Sequence, residues 1–238
     1  MIKKKGFTNV EFVISFVIFI LFVFFLLIIL NPFKQYQIDP VVINKIQRGL
    51  MGEVEVSVSK LGIKAKAQGQ GGGVGATCFS VDYNDFESTN KIFVDKVGSG
   101  NVLAVFSGSQ IFVDSGIGDY IVYSSDEFNP LNTPTPRQCA QNIEIVLGIN
   151  EEYQYVSYRL LADLATEYES DYEGLKQRIG TDSEFSFELL DLDLTPGGIT
   201  AIKGKPGKLD INARNIPIKV VWEDGRIEDM LLNLRVWG

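Results

Sequence analysis

The stretch that decides the fold prediction is FVISFVIFILFVFFLLIIL, residues 12–30. It contains no charged residue, and Ser15 is its only polar residue. At a helical rise of about 1.5 Å per residue it extends roughly 28 Å, close to the thickness of the hydrocarbon core of a bilayer. It is longer than the apolar region of a secretory signal peptide, and no small-residue cleavage site follows it. The stretch therefore predicts an N-terminal transmembrane helix.

The residues before this stretch predict its orientation and mark one functional candidate. Lys3, Lys4 and Lys5 place the N-terminus in the cytoplasm by the positive-inside rule, so the rest of the chain is expected to be extracytoplasmic. Glu11 lies one residue before the apolar run. Placing an ionised carboxylate in the apolar part of a bilayer costs on the order of a few kcal/mol, so an acidic residue at the start of a transmembrane helix is a functional candidate. Asn31-Pro32 is expected to end the helix.

The segment KKKGFTNVEF, residues 3–12, resembles the class III signal peptide of type IV prepilins. In that family a basic leader ends in Gly, a prepilin peptidase cuts after it, and Glu is the fifth residue of the mature chain. The resemblance implies cleavage between Gly6 and Phe7, which makes Glu11 the fifth mature residue. The V-E-F part also looks like the pseudopilins of tight-adherence systems, and archaeal class III signals share the Gly and the Glu. The resemblance covers about the first 30 residues.

This resemblance implies a structural role for the chain and a specific role for Glu11. Cleavage before Phe7 creates an α-amino group, with a pKa near 8 in water, within one helical turn of Glu11. In a filament the ammonium of one subunit can pair with the carboxylate of another, which would set the axial register. The implied partners are the prepilin peptidase, the lipid bilayer before assembly, and other pilin-like subunits, which contact through the N-terminal helix.

Composition excludes several other functions. The chain has 22 Lys and Arg, 30 Asp and Glu, a net charge of −8 and no histidine. An acidic chain lacks the basic face of a nucleic-acid-binding protein. Without histidine there is no Ser-His-Asp or Cys-His catalysis, and two cysteines cannot make a four-cysteine zinc site. Composition thus leaves carboxylate chemistry, binding or a structural role. Together with the prepilin resemblance, this leads us to expect a protein that is not an enzyme, with no catalytic residue, no metal and no cofactor.

Hydrophobic patterns after residue 31 predict a mainly antiparallel β body with one or two helices, and hence an α+β fold class with the transmembrane helix. We expect helices at residues 40–51, with Asp39 as N-cap, at 151–168, with Asn150 as N-cap, and at 172–179, closed by Gly180. The strand candidates are an alternating run from Glu53 and residues 77–83, 91–97, 102–106, 110–113, 120–123 and 185–189.

The predicted organisation follows from these elements. It comprises a cytoplasmic leader (1–6), a transmembrane or assembly helix (7–31), a linker with a short stalk helix (32–52), a β-rich part (53–149) and a part with two helices and a C-terminal hairpin (150–238).

The C-terminal hairpin allows a prediction of its register. A three-residue loop at 223–225 pairs Trp222 with Arg226 and puts the apolar residues of both strands on one face, whereas a two-residue loop separates them. We therefore expect a type I turn with Gly225 in the left-handed conformation.

The remaining features have simple interpretations. The glycine-rich segment 69–75 fits a flexible loop better than a phosphate site, because no buried strand precedes it. Cys78 and Cys139 are a candidate disulfide, with two separate buried thiols as the alternative.

The acidic clusters, which lack calcium-loop spacing, fit solvated loops: Asp82, Asp85 and Glu87; Asp114 and Asp119; Asp191 and Asp193. Five tyrosines in 153–172 could form a contact surface or pack the helix on the sheet.

Two functions remain from the sequence. The first is a prepilin-like structural subunit of a type IV pilus or related filament or secretion assembly. The alternative is a permanently anchored single-pass membrane protein with an extracytoplasmic binding domain. A hydrolase that uses paired carboxylates is a weaker third hypothesis, because chance pairs are expected among so many acids.

Overall fold

The fold is described from a computed structural model of the chain, which covers residues 9–30, 40–67, 77–86, 91–129, 139, 143–202 and 211–237. Four helices lie in these ranges: α1 (Asn9–Leu30), α2 (Pro40–Val54), α3 (Tyr158–Ser170) and α4 (Tyr172–Ile179). The twelve strands are β1 (Glu55–Ala67), β2 (Phe79–Asp82), β3 (Lys91–Lys96), β4 (Gly100–Val102), β5 (Ala104–Ser107), β6 (Gln110–Val113), β7 (Gly118–Ser125), β8 (Ile143–Ser157), β9 (Glu184–Leu190), β10 (Pro196–Ala201), β11 (Asn212–Val221) and β12 (Ile227–Trp237).

Nine of these strands form one sheet, in the order β10-β9-β12-β11-β8-β1-β7-β3-β4. Its neighbouring strands run antiparallel except β8 and β11, which run parallel and pair only at Val156 with Val220 and at Ser157 with Val221. A second, three-stranded sheet has the order β2-β6-β5 and is antiparallel. The parallel contact between β8 and β11 therefore joins two antiparallel halves of the large sheet.

Each half of the large sheet has its own core. Helices α2, α3 and α4 pack on β9–β12, where Leu50, Leu175 and Phe187 are among the buried side chains. The three-stranded sheet packs on β1, β3 and β7, where Leu61 and Ile111 are fully buried. A smaller cluster of Val58, Phe128 and Val221 lies near the parallel contact. The alternation of apolar and polar residues predicts sheets that bury one face, and both cores are built on such faces.

The predicted fold class was wrong. Strand accounts for 51% of the described structure, so the chain is mostly β with four helices rather than α+β. Local sequence patterns predict too little strand here. The strands β1 and β8 stabilise each other through twelve paired positions, and residues this far apart in sequence leave no local pattern. Among the described residues, no helix is both long enough and apolar enough to cross a membrane, so the predicted transmembrane helix is not found.

The predicted helix 151–168 was wrong in its first half. Residues up to Ser157 belong to β8, and the helix begins only at Tyr158. Ser157, not Asn150, is the N-cap, since its hydroxyl accepts a hydrogen bond from the Leu160 N–H at 3.2 Å. The strand β8 runs across the predicted boundary between residues 149 and 150.

Most other elements agree with their predictions, but Glu53 and Val54, the start of the predicted alternating run, belong to α2, and β1 begins at Glu55. Helix α2 begins at Pro40 as predicted and continues to Val54, while its predicted cap Asp39 lies outside the described residues. Helix α4 has the predicted bounds and ends at Gly180, whose φ is +75°. Strand β6 is found as predicted, and the candidate 102–106 is divided between β4 and β5. The glycine-rich segment 69–75 lies outside the described residues.

The predicted register of the C-terminal hairpin is confirmed. The Trp222 N–H donates to the Arg226 carbonyl at 2.9 Å, and Gly225 donates to the Trp222 carbonyl at 2.9 Å with φ at +85°. Ile216 then faces Leu232 and Ile218 faces Met230, so both strands present one apolar face to the core under α2–α4. The apolar pattern and the loop length together were enough to choose between the two registers.

Replacing Gly225 with alanine is expected to lower the free energy of unfolding by about 3 kcal/mol, measured by urea denaturation. An L-residue in the left-handed region costs about 1–2 kcal/mol, and overpacking adds about 1–3 kcal/mol. The new Cβ would lie 2.1 Å from Cγ of Phe93, so the Phe93 ring would have to move. Gly98 is the matched control, because its φ is +81° and nothing lies within 4 Å of its Cβ position. Equal losses for both variants would contradict the steric part of this prediction.

Candidate functional site

Helix α1 is the first candidate surface because its side chains are apolar and exposed. Phe12, Val13 and Leu21 are each more than half exposed, and helical spacing puts them on different faces of the helix. Side chains with this exposure leave a large apolar area in contact with solvent, which marks a contact site. Glu11 lies in the first turn, where a negative charge is favourable next to the helix N-terminus. Glu11 is itself exposed.

The residues of the predicted processing site lie outside the described part of the chain. These are the leader charges Lys3, Lys4 and Lys5 and the two residues at the cut, Gly6 and Phe7. Of the predicted assembly and processing residues, the structure therefore places Glu11, at the start of α1.

The candidate disulfide residues lie together. Cys78 and Cys139 are bonded, with their Cα atoms 5.2 Å apart. The bond connects the residue just before β2 to the chain that leads into β8, across a sequence separation of 61 residues. It therefore ties the three-stranded sheet to the strand that follows the long connection after β7.

Two of the five tyrosines pack the helices on the sheet. Tyr168 and Tyr172 are buried, and both use their hydroxyls on the backbone of Phe185. The Tyr168 hydroxyl donates to the Phe185 carbonyl at 2.6 Å, and the Tyr172 hydroxyl accepts from the Phe185 N–H at 2.9 Å. Burial raises the pKa of Tyr172 well above its usual value. These contacts support the packing interpretation rather than an adhesive surface for this pair.

A half-open cleft of about 410 Å³ lies between the start of α3 and the loop of the C-terminal hairpin. The Tyr158 ring stacks on Trp222 with ring centroids 3.7 Å apart, and Arg159 lines the same cleft. Arg159 donates to both carboxylate oxygens of Glu127, at 2.6 and 3.1 Å, and this hydrogen bonding raises its pKa. The aromatic rings and the guanidinium group that line the cleft are therefore already engaged in contacts within the chain.

A second pocket, of about 490 Å³, is strongly acidic, and we call it the acidic pocket. It is lined by Glu55, Val56, Ser57 and Ser59 of β1, Asn150 and Glu152 of β8, and the loop residues Asp85 and Asp126. Four carboxylates and no Lys or Arg belong to this lining. Ser57 donates a hydrogen bond to Glu152 across the two strands. The pocket is thus a negatively charged cavity on one face of the β1–β8 pair.

Two buried hydroxyl groups belong to residues that neighbour the lining of the acidic pocket, Ser124 across from Ser59 and Tyr83 close to Asp85 in sequence. Ser124 is 1% exposed and lies directly opposite Ser59 in the antiparallel register, so both point to the same face. Within the described structure, neither the Ser124 hydroxyl nor the Tyr83 hydroxyl has a hydrogen-bond partner. Burial raises the pKa of Tyr83, and the neighbouring Asp85 raises it further. Ser124 therefore adds one buried polar group of β7 next to the pocket lining.

The acidic clusters noted in the sequence are dispersed in the fold. Asp82 accepts a hydrogen bond from Gln110 at 2.7 Å, and Asp193 accepts from Thr195 at 2.7 Å within the β9–β10 turn. Glu87 lies outside the described residues. In the described ranges, no group of three or more His, Cys, Asp or Glu side chains could hold a metal ion.

Local sequence patterns do not reveal the acidic pocket. Its carboxylates come from residues 55, 85, 126 and 152, which only the pairing of β1 with β8 brings together. The local signal available was the Glu151-Glu152 pair in a segment predicted as helix. No family model, no curated protein and no solved structure matches this chain.

Proposed function

We propose that the chain is a prepilin-like structural subunit of a type IV pilus or a related filament or secretion assembly, cut between Gly6 and Phe7. The observation that carries this proposal is helix α1, which exposes apolar side chains on all its faces and has Glu11 in its first turn. Packing α1 among copies of itself would bury this surface, and each buried large side chain would contribute about 1.5–3 kcal/mol.

Glu11 gives this packing a register. After cleavage, the α-amino group of Phe7 would lie one helical turn from Glu11 of its own chain and could reach Glu11 of a neighbour. An unpaired carboxylate among apolar helices is costly, whereas a paired one offsets much of that cost. Only axial positions that bring the two groups together are then favourable.

The rest of the chain would form the head of the subunit. Its exposed surface is rich in carboxylates, and its disulfide suits an oxidising compartment. The cytoplasmic leader, the extracytoplasmic head and the partners named above (the peptidase, the bilayer and other pilin-like subunits) follow from the resemblance and stay predictions.

Processing gives the direct test. We expect co-expression with a prepilin peptidase to yield a mature chain that starts at Phe7, as measured by intact mass and N-terminal sequencing. The Gly6→Val variant should keep its leader, because the family cuts after Gly, and an inactive peptidase is the second control. An intact Lys-rich leader on the wild-type chain would contradict the proposal and favour the permanently anchored alternative.

A further inference from the structure

Strand β8 has one paired edge and one open edge. On one side it pairs with β1 along its whole length, from Ile143 to Val156. On the other side, the only described strand that pairs with it is β11, at Val156 and Ser157 alone. Successive residues of a strand direct their N–H and C=O groups to opposite edges, so about six residues of β8 present these groups on this side, where no described strand pairs with them. This is the property of an edge strand that accepts another strand.

The open edge also carries exposed apolar side chains. Val146 and Leu147 are each at least 40% exposed, and Ile149 is 81% exposed. Ile149 lies at a β-bulge, where Gly148 and Ile149 are opposite Gly62 of β1, and the bulge turns its side chain outward. These side chains lose contact with water only if another element covers the strand.

Strand β11 does not compete strongly for this edge. It contains Pro217, which has no N–H to donate, and sheets tolerate proline at their edges for that reason. The pairing of β11 with β8 ends at Val220, and Ala213 and Arg214 at its other end are exposed. The two strands thus leave a gap between the halves of the large sheet.

The acidic pocket adjoins the open edge, because Asn150 and Glu152 of β8 line it. A side chain opposite Glu152 on an added strand would have its Cβ about 4.5–5.5 Å away, on the same face as the pocket. A Lys or Arg side chain at this position would extend over β8 towards the pocket. Ser124, whose hydroxyl has no hydrogen-bond partner in the described structure, lies opposite Ser59 of the pocket lining.

We propose that β8 binds an extended segment of another protein by β-strand addition, with a Lys or Arg side chain of that segment in the acidic pocket. The charge of the pocket selects a basic partner and rejects nucleic acid. It also disfavours pairing of β8 with β8 of a second copy, since Glu144, Glu151 and Glu152 would then meet an equally acidic strand. This proposal does not depend on the role of α1.

The test is binding of a fluorescein-labelled peptide of five Lys-Val repeats to the full-length protein in detergent. We expect a Kd in the micromolar range by fluorescence anisotropy, and binding at least tenfold weaker for five Glu-Val repeats. The triple variant Glu55→Gln, Asp126→Asn, Glu152→Gln should weaken binding of the Lys-Val peptide at least tenfold. The matched control is Glu144→Gln with Glu151→Gln, on the opposite face of β8, which should change the Kd less than twofold.

Hydrogen exchange separates strand addition from general attraction between charges. Bound Lys-Val peptide should protect those backbone amides of residues 143–155 that point away from β1, which are about every second one, as measured by mass spectrometry. No such protection, equal loss of binding in both sets of variants, or no binding at 1 mM peptide would each overturn the proposal. If the triple variant does not fold, Glu152→Gln alone replaces it, with an expected loss of at least threefold.

Discussion

Replacing Glu11 with valine is expected to lower the yield of assembled filaments at least tenfold while the precursor is still made and cut. Valine removes the carboxylate that would pair with the α-amino group of a neighbouring subunit, so axial register is lost although the apolar helix remains. The position supports this effect, since Glu11 is the acidic residue in the first turn of α1. The measurement is the amount of subunit in sheared, sedimented filaments relative to total subunit in the cells.

Two controls make the result specific to the charge. The Phe12→Leu variant changes an exposed apolar residue next to Glu11 and should assemble within twofold of the wild type. Glu11→Asp keeps the charge on a shorter side chain and should recover part of the yield. Filaments at the wild-type level from the valine variant would refute the role given to Glu11.

Removing the disulfide is expected to destabilise the head by about 4 kcal/mol, the largest stability change we predict. In the chain-entropy model, a crosslink that closes a loop of about 60 residues contributes this amount by restricting the unfolded chain. The variant is Cys78→Ser with Cys139→Ser, and the measurement is the free energy of unfolding in urea, followed by tryptophan fluorescence. Trp222 and Trp237 both belong to the C-terminal hairpin and report on it.

The reduced wild-type protein is the control for the serine substitutions. If loss of the crosslink is the cause, wild-type protein in excess reductant and the double serine variant should have the same unfolding midpoint. A loss below about 1 kcal/mol would show that the crosslink leaves the unfolded chain largely as free as before.

Sequence patterns predicted the elements whose stability is local. The hairpin that contains Gly225 was predicted to the residue, because its loop length and two alternating apolar strands admit one consistent register. The end of helix α4 was also predicted from local sequence. Its apolar residues recur at helical spacing up to Ile179, and the next residue is Gly180, a residue type that commonly ends helices in the left-handed conformation.

Patterns failed where distant strands decide the structure. Residues 151–157 have spacing compatible with a helix, yet they form strand because β1 offers twelve paired positions. The helix begins at Tyr158, two residues after the last position paired with β1, and the Ser157 hydroxyl caps it. Tertiary pairing here overrides local preference, which is a general limit of propensity arguments.

The candidate sites also differ in whether local sequence is enough to recognise them. Glu11 could be found from sequence because its meaning depends on its distance from Gly6 along the chain. The acidic pocket could not, because Glu55 and Glu152 meet only through the β1–β8 register. The open edge of β8 is likewise a property of the whole sheet, since it depends on where β11 ends its pairing.

The β1–β8 pairing also has a kinetic consequence. Ser57 and Glu152, which are hydrogen-bonded in the finished sheet, are separated by 95 residues of chain. During synthesis β1 leaves the ribosome long before β8, and until then β7 is the neighbour of β1 in the described sheet that is available for pairing. Contacts of such long range slow folding, because the closure of a large loop must precede the pairing that stabilises it. We expect a slow final folding step in which β8 closes on β1, and with it the appearance of the acidic pocket.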